Sequence, residues 1–412
     1  MIAFRLSEYV ESKGILLHNQ CGFRRQRSTQ DQIVHLASDI QEAFSQKQHL
    51  FSVFFDIEKA YDTTWHYNIL KKLLEIGLSG RITQFINNYL HNRIICVRIN
   101  NSLSNPTPVE NGVPQGGVLS ILCFLLAINN IAEYIPHPIK YRLYADDLNI
   151  SLRTKNPKLA ENLLQACLQN LENWSNSTGF KFAEHKTYCV DFSRKHQEKK
   201  LQLKLNNIQL DFHHEASFLG LKFDRRLHWT SFLKELRSST QKRLNVLKML
   251  RNKTFGPSPH LLLRIYRTLI RSKIDYGATA YLSASNSLLQ ILDPIHNAGI
   301  RIALRAFCTS PINSMQLLCG EPPLEVRRKL LTLKYCLSVA NNPSHPNYSL
   351  VYKPGCSKIS ITFHHLKNVY NINDNVCPAI LKKTIFDHWL NQISHLPHQL
   401  IKIKKIHRIG QN

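Results

Sequence analysis

Two adjacent carboxylates stand in the stretch Tyr144-Ala145-Asp146-Asp147. The runs on either side, Ile139-Lys140-Tyr141-Arg142-Leu143 and Leu148-Asn149-Ile150-Ser151-Leu152, read as short strands, which puts the acidic pair at or next to a hairpin turn. Two like charges packed together are costly unless a cation neutralises them, and hard carboxylate oxygens suit Mg²⁺. A surface Asp-Asp turn is the plain alternative. A second carboxylate site weighs against it. Leu50 to Phe55 is an apolar run of strand length, broken only by Ser52, and it delivers Asp56 at its end. The chain continues Ile57-Glu58-Lys59-Ala60-Tyr61-Asp62, and then Ile69, Leu70, Leu73, Leu74 and Ile76 recur at helical spacing until Gly77 stops them. Carboxylates from two separate strands can hold two metal ions about 4 Å apart, an arrangement that stabilises the attacking and leaving oxygens of a phosphoryl transfer.

A third segment, Asn111-Gly112-Val113-Pro114-Gln115-Gly116-Gly117-Val118-Leu119-Ser120, lies between these two. Its proline and glycines predict a stiff turn where backbone can approach a ligand closely. The apolar stretch that it opens, Val118 to Ile131, reads as a buried helix; it is too short for a membrane span.

The elements around these segments belong to a basic chain. Its 53 Lys and Arg against 28 Asp and Glu give a net charge of +25, which favours a polyanionic partner, nucleic acid first. A ribosomal or histone-like protein would carry the same sign. Between Arg194 and Lys253 the basic residues alternate with Leu, Phe and Trp229, so they read as a folded basic surface, either a phosphate-binding face or a solvated helix face. The ten cysteines have no metal-finger spacing and read as reduced core thiols of an intracellular protein, nuclear or cytoplasmic. Met1 leads directly into Ala3-Phe4-Arg5-Leu6, which reads as a helix rather than a secretory signal.

Together these motifs resemble the ordered signature of reverse transcriptases: Asp56 with Tyr61 and Asp62, then Gly112-Val113-Pro114-Gln115-Gly116, then Tyr144-Ala145-Asp146-Asp147. Cys21-Gly22-Phe23-Arg24-Arg25-Gln26-Arg27-Ser28-Thr29-Gln30-Asp31 resembles the fingers motif of non-LTR retrotransposons of the jockey or I-element type. Phe218-Leu219-Gly220-Leu221-Lys222-Phe223-Asp224 resembles the primer-grip strand of that family. Each motif alone is weak; five in order across Cys21 to Asp224 are specific. Gly320-Glu321-Pro322-Pro323-Leu324-Glu325 is similar to the region after the polymerase in these elements.

The resemblance implies an α+β right-hand polymerase with partial fingers, a palm built on an antiparallel sheet, and a helical thumb. It implies RNA-directed DNA synthesis on an RNA template and DNA primer, with deoxynucleoside triphosphates as substrates and two Mg²⁺ ions. Asp56, Asp146 and Asp147 would be the metal ligands, with Asp147 the more peripheral. The Ile57 carbonyl would face the nucleotide-side metal. Tyr61 would reject a 2′-hydroxyl, with a plain core aromatic as the alternative. Gln115 would contact nucleotide and template. Lys186 matches the lysine proposed to protonate pyrophosphate, or is a surface lysine pairing with Glu184. Arg24, Arg25 and Arg27 would face phosphates, and Phe218, Leu219 and Gly220 would hold the primer end. Asp62 could instead cap the following helix, beside Thr63 and Thr64.

The pattern predicts fingers and palm over residues 1–225, a helical thumb over 226–320 and a C-terminal extension over 321–412, where one further helix, Leu324 to Val339, is expected. Only twenty residues precede Cys21, whereas the family's triphosphate-gripping fingers segment lies several tens of residues upstream; a truncated frame is expected, and with it weak extension at best. From Val326 to the end only Asp374 and Asp387 remain as acids, too few for ribonuclease H chemistry. Ile121 stands where the family often has proline. A catalytically defective remnant that only binds nucleic acid is the alternative function. An intron maturase shares the palm, but the Cys21 motif and Glu321-Pro322-Pro323 argue against it.

Overall fold

The computed structural model describes residues 1–251, 256–352 and 358–369. Of the residues read above, Lys253, two of the ten cysteines, Cys356 and Cys377, and the acids Asp374 and Asp387 lie outside the described residues. The chain divides into two compact units, one of residues 1–32 and 43–219, the other of residues 33–42 and 220 onward. The first unit closes at Leu219 and the second resumes at Gly220, and the described residues after 320 belong to the second unit.

The first unit is built on a five-stranded sheet in the order Asp211–Phe212, Tyr188–Phe192, His49–Phe55, Asp147–Thr154, Lys140–Tyr144. The central strand His49–Phe55 is buried at every position; its near-continuous apolar run, broken after His49 only by Ser52, suits a strand covered on both faces. It pairs antiparallel with both neighbours, Phe51 opposite Leu152 on one side and Asp191 on the other. Side-chain alternation sends Phe51, Val53 and Phe55 into the main core. That core is closed by the helices Val118–Ile128 and Pro157–Thr178. The first of these is buried almost all round, the property that imitates a membrane span in sequence. Among the described residues no helix is long and apolar enough to cross a membrane.

The second helix shows how local signals set an element. Asn156 caps it by accepting from the Lys158 and Leu159 nitrogens, Pro157 occupies its first turn, and Gly179 ends it at φ +81°. Between the helix Arg81–Leu90 and the Gly112 segment the chain forms two small exposed ribbons, Arg93–Ile95 with Thr107–Val109 and Arg98–Ile99 with Ser102–Leu103.

The second unit is helical, as expected for residues 226–320. Thr230–Leu250, Pro259–Tyr266 and Asp293–Leu304 pack together, and Leu324–Ala340 matches the single helix expected after Pro322. Two further helices, Tyr348–Tyr352 and Lys358–Val369, were not legible in the proline-broken sequence. Packing rather than a regular sequence pattern holds them: Val351, Ile359, Phe363 and Leu366 are buried together with Leu333, Cys336 and Leu337. The expectation of core thiols fails at Cys96 and Cys308, which are exposed, and holds for the other six described cysteines, all buried and unpaired to one another.

Candidate active site

Tyr144 pairs with Asp147 across the hairpin, so Ala145 and Asp146 are its two turn residues. Ala145 has φ +56°, and only glycine adopts that region without cost. Phe55 pairs with Leu148, which brings Asp56, one residue further on, beside Asp147. Alternation puts both on the face of Phe54 and Asn149, away from the main core. Behind them runs a buried polar ladder. Arg142 Nη1 donates to Asn149 Oδ1 and Ser151 Oγ, each at 2.9 Å, and Asn149 Nδ2 donates to Ser52 Oγ at 2.7 Å. Buried hydrogen bonds of this kind tie the strands that carry them together. The result is a cleft of about 200 Å³ lined by Phe54, Asp56, Asp147, Lys186, Tyr188 and Phe218.

The electrostatics are those of crowded anions. Burial raises Asp146 above the usual carboxylate range, and the Asp56 charge adds to it. Asp147 is pushed up to about 6, first by its crowded surroundings and then by Asp146 and Asp56. Its side chain is open to solvent at the cleft mouth, so the two neighbouring charges are the firmer part of that shift. The Lys186 ammonium lies 3.0 Å from Asp56 Oδ2. Glu184, the other partner considered for Lys186, instead accepts from Asn206 Nδ2 at 2.7 Å.

The donor set suits a hard divalent cation: carboxylates from adjacent strands, with one carboxyl raised by its neighbours' charge. Yet among the described residues no three of His, Cys, Asp and Glu are gathered into a ready-made metal nest. Asp56 and Asp147 line one cleft, while Asp146, in the adjoining turn, is close enough for the Asp56 charge to act on it but does not line that cleft. The Lys186 ammonium supplies the positive charge beside Asp56.

The remaining residues divide clearly. Ile57 is the non-hydrogen-bonded partner of Phe182, flanked by Ala183 N to Asp56 O and Glu58 N to Lys181 O, which turns its own carbonyl away from that segment. The Tyr61 ring stacks on Phe124, centroids 4.7 Å apart, and its hydroxyl is raised to about 12 by burial and then by Asp146. Tyr61 is thus both a core ring and a neighbour of the acidic turn. Gln115 is exposed and donates to Asp62 Oδ1 at 3.3 Å, while the following helix, His66–Glu75, has Trp65 at its N-cap and no side-chain cap. Phe218 packs against Phe54, Ser217 and Phe218 line the cleft, and Leu219 and Gly220 both take positive φ in the turn that follows.

The three arginines do not form one phosphate-facing row. Arg24 forks onto Glu11, at 2.8 and 2.6 Å, and also donates to the Leu17 and Gln20 carbonyls, so its guanidinium is spent on structure. Arg25 is exposed and lies over the Phe4 ring, 4.9 Å from its centroid. Arg27 is half-buried, and burial lowers its pKa.

Several working residues carried no signal in the sequence. His66 Nε2 bonds the Gly112 carbonyl at 2.7 Å, and Tyr89 shares a 2.8 Å bond with Ser120 Oγ. These hold the Gly112–Ser120 turn, which also bonds to the Tyr61 and Thr64 carbonyls through Val113 N and Gly112 N. Gln20, 2 % exposed, contacts the acidic turn itself.

The reverse transcriptase (RNA-dependent DNA polymerase) profile matches residues 1–223, more than half of the chain. The chain belongs to the reverse transcriptase family. It is 27% identical over 308 residues to the probable RNA-directed DNA polymerase from transposon BS of Drosophila melanogaster, covering 73% of this chain and 34% of that protein. Against the RNA-directed DNA polymerase from mobile element jockey of the same organism the identity is 24% over 279 residues, covering 66% of this chain and 30% of that protein. These relatives bear out the mobile-element subclass read from the Cys21 motif. The chain spans about a third of their length. The two-unit, sheet-and-helix architecture is that of a right-hand polymerase, and the family is divalent-metal dependent.

Proposed function

We propose that this reverse transcriptase chain carries out RNA-directed DNA synthesis inside the cell, in the nucleus or cytoplasm, extending a DNA primer on an RNA template with deoxynucleoside triphosphates. One observation carries the proposal. Asp56 and Asp147, at the ends of adjacent strands, line one cleft together with Phe218 of the primer-grip segment, and Asp146 stands in the turn next to Asp147.

In the reaction, the primer 3′-oxygen forms a bond to the α-phosphorus of the nucleotide while the bond to the leaving pyrophosphate breaks. A pair of Mg²⁺ ions held by Asp56, Asp146 and Asp147 would activate the attacking oxygen and neutralise the leaving one. Tyr61 limits space at the sugar, Lys186 gives its proton to the departing pyrophosphate oxygen, and Phe218 fixes the primer end. In the helical unit, Thr230–Leu250 buries Leu233, Leu236, Leu244 and Leu247 and exposes Lys234, Arg237, Lys242 and Lys248. Such a stripe suits the phosphate backbone and makes binding fall steeply with salt.

The test is primer extension by the purified chain on an RNA template with Mg²⁺. Asp146→Asn should abolish extension and leave template–primer affinity unchanged or slightly tighter, since one negative charge near the phosphates is gone. Equal extension by the two proteins would refute the assignment. Binding without any extension by the unmodified chain would favour the nucleic-acid-binding remnant.

A further inference from the structure

The acidic hairpin turns through a residue poorly suited to its conformation. Ala145 is 5 % exposed and has φ +56°, a region that a side chain disfavours. Its peptide groups cannot reach water, so each needs a partner in the protein. Gln20 supplies both. Its Oε1 accepts from Ala145 N at 2.9 Å, and its Nε2 donates to Ala145 O at 3.2 Å. The same Oε1 accepts from Gly22 N at 2.8 Å, which locks the carboxamide in place. The backbone here joins the hairpin as well: Gln20 bridges to Leu143, and Cys21 N donates to Leu143 O at 3.0 Å. Gly22 lies so close that a Cβ on it would stand 2.4 Å from Ala145 N.

We infer that Gln20 is a positioning residue for catalysis: its carboxamide grips the Ala145 N–H and C=O and so sets the direction in which Asp146 and Asp147 leave the turn. The inference rests on the polymerase reading of those carboxylates. Gln20 touches no substrate; it acts through the turn. Gripping the N–H and the C=O of one residue ties together the two successive peptides that flank Ala145, so it pins the φ and ψ of that turn residue, which a single hydrogen bond does not. Precision of this kind matters because a metal-ligating pair tolerates only small errors in placement.

The experiment uses the purified chain and Mn²⁺ as the probe, titrated by electron paramagnetic resonance, with primer extension as a second readout. Gln20→Met keeps the length of the side chain and removes all three bonds. It should weaken Mn²⁺ binding about tenfold and lower kcat with little change in KM for the nucleotide, in keeping with misplaced ligands. Adding Ala145→Gly should recover most of that loss, because glycine adopts the positive φ without help. A role in core packing alone would not be rescued from Ala145. Unchanged Mn²⁺ affinity in Gln20→Met, or a loss that Ala145→Gly leaves in full, would overturn the inference. If Gln20→Met does not fold, Gln20→Asn, one methylene too short to reach Ala145, is read by the same two outcomes. Asp146→Asn separates the two levels. If it binds Mn²⁺ as the unmodified chain does, the acidic-site reading fails; if it loses binding while Gln20→Met keeps it, only the positioning role fails.

Discussion

Lys186 offers a test whose two readouts move in opposite directions. Its ammonium stands 3.0 Å from Asp56 Oδ2, with the two side chains 72% and 41% exposed. At an effective dielectric constant near 20, charges about 3 Å apart would attract by about 5 kcal/mol. Water around both groups reduces this to the range of exposed pairs, at most ~1 kcal/mol. A divalent cation arriving beside Asp56 must displace that ammonium. Lys186→Met should therefore tighten Mn²⁺ binding by up to about fivefold, the equivalent of ~1 kcal/mol. The gain should shrink as salt rises, because screening already weakens the pair. Fold stability should stay within about 0.5 kcal/mol, since the side chain packs against little.

Extension should respond the other way. If Lys186 protonates the leaving pyrophosphate, removing it costs on the order of 10²–10⁴ in the chemical step. Lys186→Arg completes the set. It keeps the competing charge but holds its proton too tightly to act as an acid. It should match the unmodified chain in Mn²⁺ affinity and match Lys186→Met in slow single-turnover extension. An Mn²⁺ affinity that is unchanged or weaker in Lys186→Met at low salt would show that the ammonium does not compete at Asp56. Normal extension by both variants would reduce Lys186 to a surface lysine that happens to reach the cleft.

Tyr61→Ala should raise ribonucleotide incorporation relative to deoxynucleotide, while Tyr61→Phe keeps discrimination; because the ring stacks on Phe124, the alanine variant should also lose about 2 kcal/mol by urea unfolding. His296 is buried, bonded to the Tyr266 hydroxyl at 2.5 Å, and held down at about 4 by burial, with Glu321 opposing and Arg327 and Arg271 reinforcing. Its folded pKa lies below its unfolded value of about 6.5, so stability falls as pH drops below about 6.5 and levels off near 4; the loss is about 3 kcal/mol, and a chain with His296→Gln should show a flatter pH profile by thermal melting. Glu321, 1% exposed, accepts from Arg267 at 2.6 Å and from Arg271 through both oxygens; Glu321→Gln should destabilise the helical unit by about 2–3 kcal/mol in urea, and a loss under ~0.5 kcal/mol would show that the two arginines find water instead.

What the sequence discloses follows from how each residue acts. The strand His49–Phe55 is legible because burial on both faces favours a near-continuous apolar run, here interrupted only by Ser52 from Leu50 on, and the carboxylate at its end is legible because the run stops there. The hairpin is legible because strand residues flank a two-residue turn. Arg24 misleads because an arginine written beside a polymerase motif looks like a phosphate ligand, while its real partner, Glu11, lies on a helix with no chemical signature of its own. Glu321 illustrates the reverse. It stands in a stretch that is only a likeness in sequence, and its role as anchor for two arginines some fifty positions earlier depends on helix packing. Gln20 is the extreme case: its partner is a peptide group 125 residues away, and a peptide group has no letter in the sequence.

Gln20, His66 and Thr64 share that property, and it bears on how the chemistry is assembled. The Gly112 turn is held at its carbonyl by His66 and at its nitrogen by the Thr64 carbonyl, while Val113 N reaches the Tyr61 carbonyl. Gly112 needs φ +88°, and a Cβ there would meet the Asp62 carbonyl at 2.7 Å. So the segment after Asp56 and the Gly112 segment interlock through backbone. The segment around Gln20 and the acidic hairpin interlock in the same way, with Gly22 against Ala145. Each pair joins one motif that carries chemistry to one that shapes it, and a glycine marks the closest approach in both. The order of motifs along the chain therefore records pairs of surfaces that must fit, which explains why a run of individually weak motifs in sequence specifies the family so well.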